Sequence, residues 1–251
     1  MSEEKKDVTR RDFLKTTGIA AGTLVGGGVI GGVIGYNAKK SGGTEQAGKD
    51  TAGEEVAEKA ANRGLMFFEN KHEFDILSEA TERIFPEDDL GPGAIGLHVP
   101  YFIDNQLAGS YGINAADYTM GPHFVGEPTQ GYQSHLNRGE IFKQGIKKIE
   151  EESQKRFSET FTKITDEQKD EILTDFQQDE VKMRGITAGY FFSLLRSATL
   201  EGAYSDPLYN GNHNMEGWRM KGFPGHQMSF LEDIEEEGFK VIEPQSLSSM
   251  Y

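Results

Sequence analysis

The chain has 251 residues, of which 26 are Lys or Arg and 41 are Asp or Glu, a formal net charge of −15 at pH 7. That acidity works against nucleic acid and anionic lipid as partners, and most of it reads as a solvated face that keeps the protein soluble. There is no cysteine, which excludes disulfides, thiolate metal sites, iron–sulfur clusters, lipobox acylation and C-x-x-C-H haem attachment.

The N-terminal region opens with Thr9-Arg10-Arg11-Asp12-Phe13-Leu14-Lys15, two adjacent arginines ahead of an apolar pair and a lysine. A weakly hydrophobic stretch from Gly18 to Tyr36 follows at once. This is the layout of a bacterial twin-arginine signal, with Arg10, Arg11, Phe13, Leu14 and Lys15 as its recognition residues. A core helix is the alternative, but eight glycines between Gly18 and Gly35 would each cost about 1 kcal/mol relative to alanine. The twin-arginine route carries proteins that are already folded, so the remainder is expected on the extracytoplasmic face of the bacterial cytoplasmic membrane. Tyr36 is followed by Asn37-Ala38-Lys39-Lys40 with no clear Ala-x-Ala. The apolar segment therefore reads equally as a cleaved signal or as a retained anchor, its length of roughly 28 Å being close to the bilayer hydrocarbon.

Residues 41–63 are Gly, Ala, Glu and Lys with almost no large apolar side chain, the composition of a flexible linker. Positions 41–251 hold 19 basic and 37 acidic residues, so the exported body is more acidic than the whole. Residues 64–251 suffice for one domain.

Within that body, Phe74, Leu77, Thr81 and Ile84 recur at helical spacing between a candidate cap, Asn70, and Pro86, predicting a helix over 70–85. Ile95, Val99, Phe102, Ile103 and Leu107 suggest a second helix over 94–107, with Pro100 at a kink or near its true start. From Gly109 to Gly131 the sequence turns to Gly, Pro, Tyr, Asn and His without a period, which predicts a long ordered loop whose aromatics Tyr111, Tyr118 and Phe124, with Tyr132 just beyond, pack on something. A third helical block covers 133–161. Thr165-Asp166-Glu167-Gln168 reads as a capping box opening a fourth helix through Phe176. The block 186–204 is apolar on nearly every face and should lie at the centre. No alternating strand pattern of any length occurs, and the fold class is all-α, a single helical domain with long ordered loops behind an N-terminal signal or anchor helix.

Tyr190-Phe191-Phe192, Glu201-Gly202-Ala203-Tyr204, Asp206-Pro207-Leu208-Tyr209, Gly211-Asn212, Gly217-Trp218-Arg219 and Gly222-Phe223-Pro224-Gly225 follow one another in the last third. This series resembles the gluconate 2-dehydrogenase subunit 3 family. Phe85-Pro86, Gly93-Ala94 and Tyr101-Phe102-Ile103-Asp104 resemble the first half of that family in the right order, so the likeness spans about residues 65–230. One departure is visible: the family pattern commonly reads Tyr-Gly-Gly-Asn where this chain has Tyr209-Asn210-Gly211-Asn212, and asparagine tolerates the left-handed backbone such a turn needs.

The resemblance implies a small accessory subunit of a membrane-associated sugar or sugar-acid dehydrogenase. In such complexes a large flavoprotein of the glucose-methanol-choline type holds FAD and performs the oxidation, a multihaem cytochrome c often takes the electrons, and the small subunit escorts the large one through the twin-arginine translocase. Gly-x-Gly-x-x-Gly occurs as a string at 26–31 and 91–96, but neither copy lies between a predicted strand and a helix, the setting a dinucleotide-binding loop needs. No cofactor is therefore expected on this chain, and FAD is expected in the partner.

Candidate chemistry is sparse. Glu201, at the end of the central helix, has the makings of a catalytic carboxylate or metal ligand; the commoner role is a structural pairing, with Arg196 or Arg219 as partner. Gly202, Asp206, Pro207, Tyr209, Gly211, Asn212, Gly217 and Trp218 read as an ordered structural motif or a contact surface for the large subunit, with the single tryptophan either an interface anchor or a core anchor. The six histidines show no H-E-x-x-H and no i, i+4 pair, so spacing alone assembles no metal site. Beside the accessory subunit, two readings stand: a self-sufficient secreted enzyme built on Glu201 and Asp206, and an anchored domain that binds an envelope component.

Overall fold

The computed structural model describes residues 64–250, apart from 119, 120, 122, 125, 132, 232, 236 and 239. The predicted export segment, the linker 41–63 and Tyr132 lie outside the described residues. Among these, six α-helices occur and no β-strand: α1 Lys71–Ile84, α2 Val99–Ala108, α3 Arg138–Phe157, α4 Asp166–Gln177, α5 Ala188–Tyr204 and α6 Glu216–Lys221. The all-α expectation holds.

Helix starts follow local chemistry. Asn70 accepts from the His72 N–H at 2.9 Å to open α1. Asn137 and Glu140 form a reciprocal capping box at α3, and Thr165 with Gln168 does the same at α4, as its sequence predicts. Where boundaries differ from expectation, a left-handed residue intervenes. His98 at φ 60° ends the short turn over 94–97, so α2 begins at Val99 with Pro100 in its first turn, where the missing N–H costs nothing. Asn137 and Ser158, the latter at φ 56°, trim the third block to Arg138–Phe157.

The core is built around α5, which touches α1, α2, α3, α4 and α6. Phe191 stands edge-on to both Phe142 of α3 and Phe176 of α4, at 5.8 and 5.7 Å. Gly145 makes this possible: a Cβ there would lie 2.3 Å from the Phe191 ring, so the cost of a mid-helix glycine, about 1 kcal/mol, is offset by close helix approach. The central helix is not apolar all round, because Ser193, Ser197 and Glu201, four residues apart, form an exposed stripe.

Polar ties lock the bundle. Arg83 of α1 reaches Asp170 with two bonds of 2.8 and 2.7 Å and Asp166 with one of 2.7 Å, while the buried Lys169 meets Glu79 at 2.7 Å. Asp104, wholly buried on α2, accepts from the backbone N–H groups of Met66, Phe67 and Phe68 and so pins the chain where it enters the domain.

The loop after α2 departs from expectation. Tyr111 packs partly against the core, but Tyr118 and Phe124 are 89% and 73% exposed. Aromatic content in a glycine-rich segment signalled burial, yet both rings stay largely in solvent.

Candidate functional site

Most of the residues singled out in the last third converge on one joint, where the final turn of α5 meets the returning loop 205–218. Glycine is required there by close approach. A Cβ on Gly202 would stand 2.9 Å from the Phe102 ring, one on Gly211 2.3 Å from the Gly202 carbonyl oxygen, and one on Gly217 1.9 Å from that of Ala203. Asn212 is wholly buried and spans the joint: its Nδ2 donates to the Ser205 carbonyl and its Oδ1 accepts from the Gly217 N–H, both at 2.8 Å. Trp218 donates from Nε1 to the Tyr204 carbonyl at 2.8 Å, satisfying one of the open acceptors at the end of α5. Trp218 is 6% exposed, which decides for core anchor over interface anchor.

The loop takes an unusual backbone path, with Asn210, Asn212, Asn214 and Met215 all at positive φ. Asn210, at φ 68°, sits where the family pattern has glycine, and the turn survives the substitution. Asp206 opens the short 3-10 turn Pro207–Tyr209 and accepts from the Leu208 N–H, the Ser246 hydroxyl and the Leu247 N–H. Burial alone would raise its pKa, but these three donors, with His226 nearby, hold its carboxyl below the usual aspartate range. It is a clasp for the C-terminal segment.

What the joint leaves outside is apolar. Leu208, Tyr209 and Phe223 are each about half exposed, at 53, 50 and 48%. Tyr209 lines one and Phe223 the other of two shallow hollows of about 430 Å³ that share Tyr204 as a wall. One is lined by Phe102, Gln106, Glu201, Ser205, Asp206 and Tyr209, the other by Trp218, Lys221 and Phe223.

Glu201 sits on the rim of the first hollow, and the expected pairing with Arg196 or Arg219 is not made. Arg219 is held by Glu216 and Glu243, while the buried Nε of Arg196 has no hydrogen-bond partner among the described residues. The cation nearest in effect is Arg138, which is engaged by Asp117 at 2.9 Å and lies 4.6 Å over the Tyr111 ring. Partial desolvation therefore pushes the Glu201 carboxyl above its ordinary pKa, with Arg138 offsetting only part of it. The Tyr111 hydroxyl is raised as well, by burial first and then by the Glu201 charge. This corner can accept a hydrogen bond or a cation from a partner. Three of the Asp206 carboxylate's acceptor positions are already filled by Leu208, Ser246 and Leu247.

The fold also makes a contact that no spacing rule finds. His98 and His213, far apart in sequence, stack with ring centroids 4.0 Å apart, because the His213 N–H bonds the Leu97 carbonyl. Among the described residues no group of three or more His, Cys, Asp or Glu side chains is disposed to hold a metal ion, and no helix is long and apolar enough to cross a membrane.

A family model described as gluconate 2-dehydrogenase subunit 3 matches residues 71–225, more than half of the chain. Neither a curated protein nor a solved structure matches.

Proposed function

The chain belongs to the gluconate 2-dehydrogenase subunit 3 family, and from that premise we propose that it is the small accessory subunit of a membrane-associated FAD-dependent dehydrogenase. It escorts a glucose-methanol-choline-type flavoprotein through twin-arginine export and supports it on the extracytoplasmic face. The observation that carries this reading is the division of labour in the family motif. Its glycines, Asn212, Asp206 and Trp218 are consumed in holding the joint together, while Leu208, Tyr209 and Phe223 are left facing outward. A rigid frame with an apolar rim suits docking better than turnover.

Supporting it, the first forty residues carry the features of a folded-protein export signal, and neither Gly-x-Gly-x-x-Gly string of the sequence follows a predicted strand as a dinucleotide-binding loop would. Gluconate, other sugar acids and sugars all remain open as substrates, since substrate choice lies with the flavoprotein. Changing Arg10 and Arg11 together to Lys tests the escort. The flavoprotein, with no export signal of its own, is expected to accumulate inside the cell with the variant. Unchanged export of that flavoprotein would overturn the reading.

A further inference from the structure

The acidic body carries a local reversal of charge. Lys147 and Lys148 of α3 and Lys182 and Arg184 of the loop before α5 surround a hollow of about 370 Å³. The one carboxylate on its wall, Glu151, is already matched by Lys148 at 3.2 Å, and Lys148 also lies 3.5 Å from the buried Glu152. Lys147, Lys182 and Arg184 form no ion pair among the described residues, whereas Arg83, Arg138, Arg156 and Lys169 are each bound to carboxylates. In a domain rich in carboxylates, three cations left unmatched around one cavity are free to bind an anion.

The hollow is held in shape rather than left to loop chance. Gln144 donates from Nε2 to the Arg184 carbonyl at 3.2 Å and accepts from the Arg184 N–H at 2.8 Å, a two-bond clamp between α3 and the loop. Met183 packs against the core between the two cations. The clamp uses only the Arg184 backbone, so its guanidinium is free for a ligand.

The chain enters the domain at Phe67, which lies against Gly139 and under Lys143, the Nζ being 5.0 Å from the ring. Lys147 is one helical turn further along the same helix, so the hollow lies near the first residues of the domain.

We infer that the hollow lined by Lys147, Lys182 and Arg184 is a phosphate-binding site, filled by the phosphate of membrane phospholipid headgroups. The phosphate chemistry stands on the cavity alone, and only the lipid source rests on the proposed membrane location. The acidic surface elsewhere is repelled by such a membrane, so a single basic site also sets which side of the domain faces it.

The test uses the full chain in a neutral detergent, titrated with inorganic phosphate, with short-chain phosphatidylglycerol and with short-chain phosphatidylcholine. Wild type and the double variant Lys182→Glu/Arg184→Glu are compared, with Lys163→Glu, elsewhere on the surface, as control. Saturable binding of phosphate and phosphatidylglycerol is expected, weakened at least about tenfold in the double variant and unchanged in the control. Preference for phosphatidylglycerol over phosphate supports the headgroup as source, and equal binding of both supports a soluble phosphate ester in the same site. Responses that do not saturate, or that are the same in all three proteins, overturn the site. So does loss of a co-purifying protein in the double variant without any phosphate binding by wild type, which would make the patch a protein contact. None of these readouts depends on export or on flavoprotein, so failure here leaves the accessory-subunit reading standing.

Discussion

Replacing Asn212 by Ala removes both bonds that close the joint. The Ser205 carbonyl and the Gly217 N–H, each held at 2.8 Å by the wholly buried amide, are then left without a partner. An unsatisfied buried backbone group costs about 1–3 kcal/mol, and alanine at the φ of 46° recorded for Asn212 adds about 1 kcal/mol more. The residue volume lost is small and adds little. Summed with allowance for relaxation, Asn212→Ala should destabilise the domain by about 3–5 kcal/mol, a fall in Tm of about 6–20 °C for a domain of this size. Asn212→Asp separates the two bonds, since it keeps the acceptor for Gly217 but loses the donor to Ser205 and buries a charge. It should also be destabilising at neutral pH and partly recover on acidification. Thermal and urea unfolding followed by circular dichroism give both numbers. A change below about 0.5 kcal/mol in Asn212→Ala would mean that the joint is not held by this side chain and that the motif is kept for another reason.

Four further outcomes follow from the same geometry. Gly217→Ala, whose Cβ would lie 1.9 Å from the Ala203 carbonyl oxygen, should displace the loop and release Trp218, seen as a red-shifted fluorescence maximum with lowered Tm; an unchanged spectrum contradicts the packing. Asp104→Ala strips the acceptor from three backbone N–H groups and should cost about 3 kcal/mol or more, with new proteolytic cleavage near residues 64–68 mapped by mass spectrometry. Asp206 has a depressed pKa, so its stabilisation is fully present above the unfolded value of about 4 and lost as pH falls through the lower folded value; hydrogen exchange at 246–248 should quicken in that acid range in wild type and show no such step in Asp206→Asn. Glu201 has a raised pKa, so its ionisation weakens the free fold as pH rises through the unfolded and then the folded value; Glu201→Gln should raise Tm slightly at neutral pH, with no gain below about pH 4.

The helices were legible because their signals are local. Asn70, Asn137 and Thr165 cap where side-chain chemistry predicts, and the 3.6-residue recurrence of Phe74, Leu77 and Ile84 fixes a buried face. The start of α2 was harder to place, because a histidine in left-handed conformation carries no sequence mark, and only Pro100 hinted at it. Gly202, Gly211 and Gly217 could be picked out by resemblance, but the reason for them is tertiary: each faces an aromatic ring or a carbonyl from a distant segment. The choice of Arg196 or Arg219 as the Glu201 partner failed for the same reason. Arg196, five residues before Glu201, lies on another face of the helix, whereas tertiary contacts commit Arg219 to Glu216 and Glu243 and bring Arg138 from α3 toward Glu201. The basic hollow was illegible for a further reason, since Lys147 and Arg184 are separated by a whole helix, and the overall charge argued the other way.

The account rests most on there being a flavoprotein partner. Affinity purification of the full chain from its own membranes, with an absorbance spectrum and the masses of co-eluting chains, tests this directly. The expected result is a stoichiometric large subunit with flavin absorbance near 450 nm in wild type, and at least about tenfold less of it in Tyr209→Ala/Phe223→Ala, because exposed aromatic anchors carry much of an interface. A colourless single chain would contradict the accessory-subunit reading.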